Sequence, residues 1–172
     1  VPHDYFAEGI YNLDNIVYML TYRAAKVLRF NAQTGARLSD LSWPHGEGWG
    51  LAHDGCNLLA TTGTNFVYYL NPEDTSEVRK KVEVQCVQRN LNALAFIAPR
   101  TLFINIWQTN RIVRVDAHTG ECYGHIDLKH DDILPWSGSH TPNGLFYDGA
   151  HEARQDRLFV FGKLWARSYE IK

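Results

Sequence analysis

The sequence predicts an all-β protein of the β-propeller class, with four recognisable blades. Three observations support this prediction. Related motifs recur at Glu8, Glu47, Asn92 and Asn143, which lie 39, 45 and 51 positions apart. Each motif is followed by short runs of β-branched and aromatic residues that are separated by turn residues, and no long stretch has a helical period. A repeat of about 40–50 residues with four antiparallel strands is typical of a propeller blade.

The first blade is predicted over residues 6–43 and opens on a weaker copy of the motif, whose clearest form lies at 46–55. A short strand starts at Ile10, and later strands alternate apolar with polar residues. The strand segments that follow are 16–22, 26–30 and 36–43, with a turn closed by glycine at 31–35.

The other three blades are predicted over residues 47–84, 92–128 and 143–172, so that one propeller domain spans residues 1–172. Their further strands are predicted at 57–62, 66–70, 78–84, 101–107, 111–116, 122–128, 157–162 and 168–171, with turns at 71–75 and 117–120. The last blade has three strands, and we therefore expect an incomplete ring with exposed strand edges. Either a missing N-terminal blade or a second copy of the chain should cover the open side.

Composition sets limits on the partners. The chain has 172 residues, is 45% hydrophobic, and carries 17 basic and 19 acidic side chains for a net charge of −2. This balance provides no electrostatic footprint for nucleic acid or an anionic membrane. There is also no apolar run long enough to span a bilayer and no signal peptide, so the compartment is left unassigned.

The three cysteines and one long loop show no recognisable metal or redox motif. Cys56, Cys86 and Cys122 lie one per repeat, and their odd number favours free thiols packed as small hydrophobic side chains. The loop at 129–142 is long enough to be functional or mobile. Its metal-binding residue types match no known zinc spacing, so we expect a solvated surface and no metal site. These loop residues are His130, Asp131, Asp132 and His140.

The first strand of each propeller blade lines the central channel, which predicts a polar cluster on the axis. The residues that open the four blades, Glu8, Glu47, Asn92 and Asn143, should converge there. Aromatic residues near the ends of inner strands are expected to form the walls of a pocket. These are Phe6, Tyr22, Trp49 and Trp107. Convergent carboxylate and amide groups suit acyl chemistry, although such residues also serve as packing at the end of a propeller.

Five blocks of the chain resemble the glutaminyl cyclases of the plant and bacterial type, and they occur in the same order. The blocks are 6–9 (FAEG), 47–51 (EGWGL), 92–94 (NAL), 105–114 (NIWQTNRIVR) and 162–165 (GKLW). The resemblance implies a five-bladed propeller that converts the N-terminal Gln of a peptide or protein to pyroglutamate and releases ammonia. It is compatible with a secretory or periplasmic compartment, and it implies no required cofactor while allowing a structural ion in the channel.

The resemblance also assigns roles to particular residues. The catalytic set is Glu8, Asn92 and Lys163, and the substrate-binding set is Phe6, Tyr22, Glu47, Trp49 and Trp107. Glu8 carries the family's essential carboxylate, which can shuttle the proton. Asn92 and Lys163 can stabilise an oxyanion. For Glu47 we expect a structural role or contact with the substrate amine.

Three departures from the family pattern bear on activity. Tyr22 stands where a Trp is usual, Ala93 replaces an acidic residue, and the family's first blade with its Phe-Thr-Gln-Gly-Leu block is absent. Two other functions therefore stay open. One is a non-catalytic propeller that binds peptides or proteins. The other is a metal-dependent hydrolase of the lactonase kind, in which Glu8, Asn92 and Asn143 would hold a divalent ion.

Overall fold

A computed structural model describes residues 4–128, 141–149 and 157–171 of the chain. Regular structure within these ranges consists of strands in four antiparallel sheets. The first sheet contains β1 (Ala7–Leu13), β2 (Ile16–Thr21), β3 (Lys26–Asn31) and β4 (Leu41–Ser42). The second contains β5 (Leu51–His53), β6 (Leu58–Thr61), β7 (Phe66–Asn71) and β8 (Asp74–Glu83). The third contains β9 (Leu91–Ile97), β10 (Thr101–Ile106), β11 (Arg111–Asp116) and β12 (Cys122–Asp127), and the fourth contains β13 (Pro142–Asp148), β14 (Arg157–Gly162) and β15 (Tyr169–Ile171).

The four sheets are arranged as the blades of a propeller, as the sequence predicts. Each sheet is an up-and-down meander in which consecutive strands pair. The innermost strands lie side by side in the order β1, β5, β9 and β13. Within the described residues, β1 and β13 do not pack together as consecutive inner strands do, and the fourth sheet has three strands. The described residues contain no helix that is long and apolar enough to cross a membrane.

The hydrophobic core lies between neighbouring sheets. One cluster joins the first sheet to the second through Tyr18, Leu20 and Trp43 on one side and Leu58 and Leu70 on the other. A second cluster joins the second sheet to the third. Alternate residues of each strand point to opposite faces, so the second sheet, which has a neighbour on each side, contributes to both layers.

Large apolar side chains on the outward faces of the first and fourth sheets remain exposed. Tyr11 packs into the cluster shared with the second sheet, whereas Ile10 lies on the opposite face of β1 and is 59% exposed. Phe146 and Phe161 of the fourth sheet are also exposed. Val160, which directly precedes Phe161 and points to the opposite face of the sheet, is fully buried. These two outward faces therefore lack a neighbouring sheet among the described residues.

Two outer strands differ from the prediction. The strand expected at 36–43 is reduced to β4, since the register shifts by one residue between the isolated bridge Phe30–Arg37 and the pair Val27–Leu41. Within this irregular segment, Nε of Arg29 donates to the carbonyl oxygen of Ser39 at 2.9 Å. The strand expected at 78–84 begins earlier, at Asp74, because the preceding turn is shorter than expected. Buried Thr75 fixes this start by donating to the carbonyl oxygen of Ser42 in the first sheet.

The predicted turns closed by glycine form as expected. Asn31 accepts hydrogen bonds from the backbone amides of two later turn residues, and Asp116 does the same in the third sheet. Gly35 and Gly120 then adopt φ values of 70° and 75°, which favour glycine. A Cβ atom at Gly120 would also collide with the carbonyl oxygen of Glu83, so this turn packs directly against the second sheet.

The prediction of three free, packed cysteines is wrong. Cys86 and Cys122 form a disulfide, with Cα atoms 6.0 Å apart. Cys86 follows β8 and Cys122 opens β12, and the backbone hydrogen bond from Gln85 to Gly120 brings these two segments together. Cys56 is free but exposed, in the turn between β5 and β6. The spacing along the sequence does not indicate this pairing, since it depends on how neighbouring blades meet.

Candidate active site

Strand register shows which residues occupy equivalent positions at the inner ends of the blades. Equivalent pairs join the inner strand to the second strand in each sheet: Ile10 with Met19, Leu51 with Ala60, Leu94 with Ile104, and Leu145 with Val160. Two positions before the first member of each pair lie Glu8, Trp49, Asn92 and Asn143. The second blade therefore presents Trp49 at this position, and the prediction that Glu47 opens this blade at the channel is wrong by two residues.

A cavity of about 560 Å³ opens at this end of the inner strands. Seven predicted site residues line it: Phe6, Glu8, Tyr22, Trp49, Asn92, Trp107 and Lys163. Asp4, Arg23, Ala24 and Asn143 complete the lining. All four sheets contribute to this one concave surface, and a site of this size and shape suits a small ligand or the end of a peptide.

Glu8 lies on β1 at a register irregularity between Ala7 and Ile10. Its side chain is half-buried, and this burial raises the pKa of the carboxyl group, while the positive charge of Lys163 partly opposes the rise. The neighbouring Gly9 lets β1 approach β5 closely, since a Cβ atom there would lie 2.7 Å from the backbone nitrogen of Leu51. The irregularity and the close approach together direct the carboxyl group to the cavity.

Lys163 reaches the cavity from the turn that follows β14. Its Nζ atom lies 5.7 Å from the centre of the Phe6 ring, within the range of a cation–π contact. Lys163 therefore brings a cation from the fourth sheet to the side of the cavity that the first sheet forms. This places a positive charge in the same cavity as the Glu8 carboxyl group.

Two aromatic pairs form part of the wall. The rings of Trp49 and Trp107 meet edge to face with centres 5.2 Å apart, and those of Phe6 and Tyr22 do so at 6.1 Å. Phe6 is 59% exposed and Trp107 is 37% exposed, although both are large apolar groups. Exposed aromatic rings inside a concave site are a surface that a ligand can bury.

Asn92 is held rigidly at the floor of the cavity. It is buried, and its main-chain carbonyl oxygen accepts a hydrogen bond from Oγ1 of Thr61 at 2.7 Å. The backbone amide of Gly50 donates to the same hydroxyl at 2.8 Å, which fixes this part of the backbone. The side-chain nitrogen of Asn92 donates to Oδ1 of Asn143 at 3.1 Å. An amide nitrogen carries two hydrogens, so Asn92 retains one donor for a ligand.

Glu47 does not line the cavity, contrary to the expectation that it converges with Glu8. Its Oε1 atom accepts from Nε of Arg23 at 2.9 Å, and its Oε2 atom accepts from the indole nitrogen of Trp49 at 3.2 Å. The hydrogen bond from Arg23 is the main reason that the pKa of Glu47 lies below its usual value. Glu47 thus connects two cavity residues from behind the wall.

Sequence reasoning missed Arg23, which lines the cavity in the turn after β2. Its guanidinium carbon lies 4.6 Å from the centre of the Tyr22 ring. The position directly after Tyr22 is the only sequence signal for it, since the turn itself has no recognisable motif.

Metal-ligand residue types are not clustered in the described part of the chain. No group of three or more His, Cys, Asp or Glu side chains there is arranged to hold a metal ion. The loop residues His130, Asp131, Asp132 and His140 lie outside the described residues.

Comparisons with known proteins agree with these observations. A family model described as glutamine cyclotransferase matches residues 1–172. A glutaminyl-peptide cyclotransferase of Arabidopsis thaliana is 28% identical over 175 residues, and the match covers all of this chain but 54% of the relative. The chain thus spans about half the length of this curated relative.

Solved structures show the same fold. The crystal structure of a glutaminyl cyclase from Myxococcus xanthus superposes with a TM-score of 0.85 at 23% identity, covering 99% of this chain and 74% of that one. A virginiamycin B lyase from Staphylococcus aureus superposes with a TM-score of 0.62 at 13% identity, covering 96% of this chain and 52% of that one. Similarity at these identities concerns the architecture of the chain.

Proposed function

The chain belongs to the glutamine cyclotransferase family, and on that premise we propose that it converts the N-terminal Gln of peptides to pyroglutamate with release of ammonia. The observation that carries this proposal is the position of Glu8. Its carboxyl group has a raised pKa and faces a cavity whose aromatic walls are exposed. A carboxyl group of this kind is suited both to accept and to return a proton.

The reaction is an intramolecular acyl transfer. The substrate's α-amino nitrogen attacks the carbonyl carbon of its own side-chain amide, forming a new carbon–nitrogen bond. The bond from that carbon to the side-chain nitrogen then breaks, and the nitrogen leaves as ammonia. One proton must be removed from the attacking amine and one must be delivered to the departing nitrogen.

Glu8 can carry out both proton transfers. As a carboxylate it accepts the proton from the attacking amine, and as a carboxylic acid it returns a proton to the leaving nitrogen. The pKa raised by burial strengthens the carboxylate as a base and keeps the protonated form accessible. A single shuttling group is sufficient because both nitrogens are bonded to the same carbon in the tetrahedral intermediate.

Lys163 and Asn92 are the donors that we assign to the oxyanion of that intermediate. The Lys163 ammonium contributes a positive charge, and the Asn92 amide retains one hydrogen after bonding to Asn143. The side chain of Asn92 is buried and held by its hydrogen bond to Asn143 before substrate arrives, so it need not reorganise as negative charge develops.

The aromatic walls have the task of folding the substrate. Attack requires the flexible Gln side chain to curl back toward its own amine, which costs conformational entropy. The two aromatic pairs line the cavity, and contact with these rings would favour the curled form. Glu47 serves this site from behind, through Arg23 and Trp49.

The test is ammonia release from the peptide Gln-Ala-Ala-NH2, with mass spectrometry of the cyclised product. We expect turnover by the 172-residue chain, a loss of about 100-fold or more in Glu8→Gln, and normal turnover in the matched variant Glu121→Gln. Glu121 is an exposed residue outside the cavity. A wild-type chain that binds the peptide without releasing ammonia would instead be a peptide-binding propeller.

The same assay addresses the metal-dependent alternative. A hydrolase of the lactonase kind would hold a divalent ion through Glu8, Asn92 and Asn143, which line the same cavity. The proposed cyclisation requires only protein side chains, and a structural ion in the channel would be compatible with it. Hydrolysis of a lactone that disappears after chelation and returns with one divalent metal, with no ammonia release from the peptide, would favour the hydrolase and contradict the mechanism given above.

We also propose that additional polypeptide of the same family covers the open side of the ring. Ile10, Phe146 and Phe161 expose apolar surface there, and a quarter of the matched Myxococcus xanthus chain lies outside the superposition. The proposed occupant is a further propeller sheet. Analytical ultracentrifugation of the 172-residue chain provides the test, because a stable dimer would show that a second copy covers these faces instead.

A further inference from the structure

We propose that Arg23 binds the main-chain carbonyl oxygen of the residue after the N-terminal Gln, so that the cavity selects peptides over isolated glutamine amides. This inference rests on the proposed cyclisation and identifies the substrate class that the site prefers. It assigns a specificity role to a side chain that the proposed chemistry leaves unused.

The location of Arg23 suits contact with the second residue of a substrate. Glu8, Asn92 and Asn143 lie on the inner strands, whereas Arg23 lies beyond the end of β2 and forms part of the same cavity. The Gln amine and side chain must both reach Glu8 for cyclisation. The rest of the peptide must therefore leave the cavity past residues outside the inner strands. Arg23 is a cation among these that, unlike Lys163, is not assigned to the oxyanion.

The guanidinium group is held in place before a substrate binds. Its Nε and Nη2 atoms lie 2.9 and 2.8 Å from Oε1 of Glu47, and Nη2 lies 3.2 Å from the Tyr22 hydroxyl. Its plane also packs on the Tyr22 ring. A side chain that is 72% exposed would ordinarily lose entropy on binding a ligand, and these contacts reduce that loss.

One part of the guanidinium group remains free to bind. Among the described residues, Nη1 of Arg23 has no hydrogen-bond partner, and the side chain is well exposed. Glu47 already balances the positive charge, so a neutral acceptor such as a peptide carbonyl oxygen is a better match than a second carboxylate. Hydrogen bonds from an ionised donor are stronger than those between neutral groups, so one such contact is measurable.

The experiment is a cycle in which both the protein and the substrate are changed. Wild type and Arg23→Gln are each assayed for kcat/KM with Gln-Ala-Ala-NH2 and with Gln-NH2, which lacks the second residue. We expect the substitution to reduce kcat/KM by about tenfold more for the tripeptide than for the amide. Arg23→Lys should recover part of the difference, and the matched variant Arg114→Gln, on β11 outside the cavity, should show no such difference.

A second measurement separates this inference from the proposed chemistry. Dissociation constants of the two ligands are measured by tryptophan fluorescence in Glu8→Gln and in Glu8→Gln with Arg23→Gln. If the Arg23→Gln substitution raises the dissociation constant about tenfold for the tripeptide and leaves that of Gln-NH2 unchanged, Arg23 contacts the second residue even if no ammonia is released. Equal losses for both ligands, or none, would overturn it, and wild-type ammonia release in that case would leave the proposed function standing.

Discussion

The side-chain amide of Asn92 donates a hydrogen bond to Oδ1 of Asn143 over 3.1 Å, which joins the third and fourth sheets at the floor of the cavity. Both residues occupy the register position that Glu8 occupies in the first sheet. The hydrogen bond fixes the rotamer of Asn92 and directs its remaining N–H. Asn143 is therefore expected to act through Asn92.

The first prediction tests whether Asn92 contacts the oxyanion and Asn143 acts only by orienting Asn92. Asn92→Ala removes an oxyanion donor and should lower kcat by about 100-fold, with a smaller change in KM. Asn143→Ala leaves the donor in place but less well oriented, so its loss should be about tenfold. The measurement is steady-state ammonia release, and a greater loss in Asn143→Ala than in Asn92→Ala would contradict the assignment.

The second prediction concerns the stability cost of Glu8. Burial raises its folded-state pKa above the ordinary value of 4.5, so the folded protein holds this proton more tightly than the unfolded chain. The favourable contribution is fully present below pH 4.5 and is lost as pH rises through the folded-state pKa. Glu8→Gln should therefore raise the Tm at neutral pH, and the gain should vanish near pH 4.

Calorimetric scans across this pH range provide the measurement. Glu121→Gln is the matched control, because the same chemical change at an exposed position should give no gain that depends on pH. A Tm of Glu8→Gln that is lower than wild type at pH 7 would show that the carboxylate stabilises the fold.

The third prediction follows from the same pKa and concerns the rate. The proposed base must be ionised to accept the amine proton, so kcat should fall on the acid side as Glu8 becomes protonated. Its raised pKa places the midpoint of this fall above pH 4.5. Lys163→Met removes the opposing positive charge and should move the midpoint of the residual activity to higher pH. A pH–rate profile of each protein supplies the comparison.

The strand pattern could be predicted well because it depends on local residue types. Runs such as Arg111–Asp116 and Arg157–Gly162 have the predicted bounds, since β-branched and aromatic residues end sharply at turn residues. β4 could not be predicted, because its length depends on a register shift against β3. The Cys86–Cys122 pair likewise depends on the packing of two blades.

The candidate site shows the same division between local and long-range information. Glu8, Asn92 and Lys163 could be proposed from family-like blocks, and the structure places them in one cavity. The position of Glu47 could not be predicted correctly, because the motif that contains it looks like the Glu8 motif. In the structure, the strand register gives Trp49 the position in the second sheet that Glu8 has in the first. Arg23 stands in a turn without a motif and becomes apparent through its contacts in three dimensions.

The fourth prediction concerns the aromatic wall. Trp107→Ala removes a ring that is partly exposed in the cavity, so it should raise KM by about tenfold or more, in line with roughly 1–3 kcal/mol for burying an aromatic group. Trp107→Phe keeps an aromatic surface and should recover most of the affinity. Titrations with Gln-Ala-Ala-NH2 measure the effect, and an unchanged KM in the alanine variant would remove Trp107 from the substrate wall.

The last prediction concerns the disulfide between the second and third sheets. Cys86 and Cys122 are 36 positions apart, so the crosslink restricts a loop of intermediate length in the unfolded chain. Replacing both by Ser should lower the free energy of unfolding by about 2–4 kcal/mol. Cys56→Ser is the matched control and should leave stability unchanged, because that thiol is free and exposed. Urea unfolding of the three proteins, each with and without a reductant, measures the difference. If the wild-type protein keeps its full stability in the reductant after the disulfide has been reduced, the crosslink does not contribute to holding the two blades together.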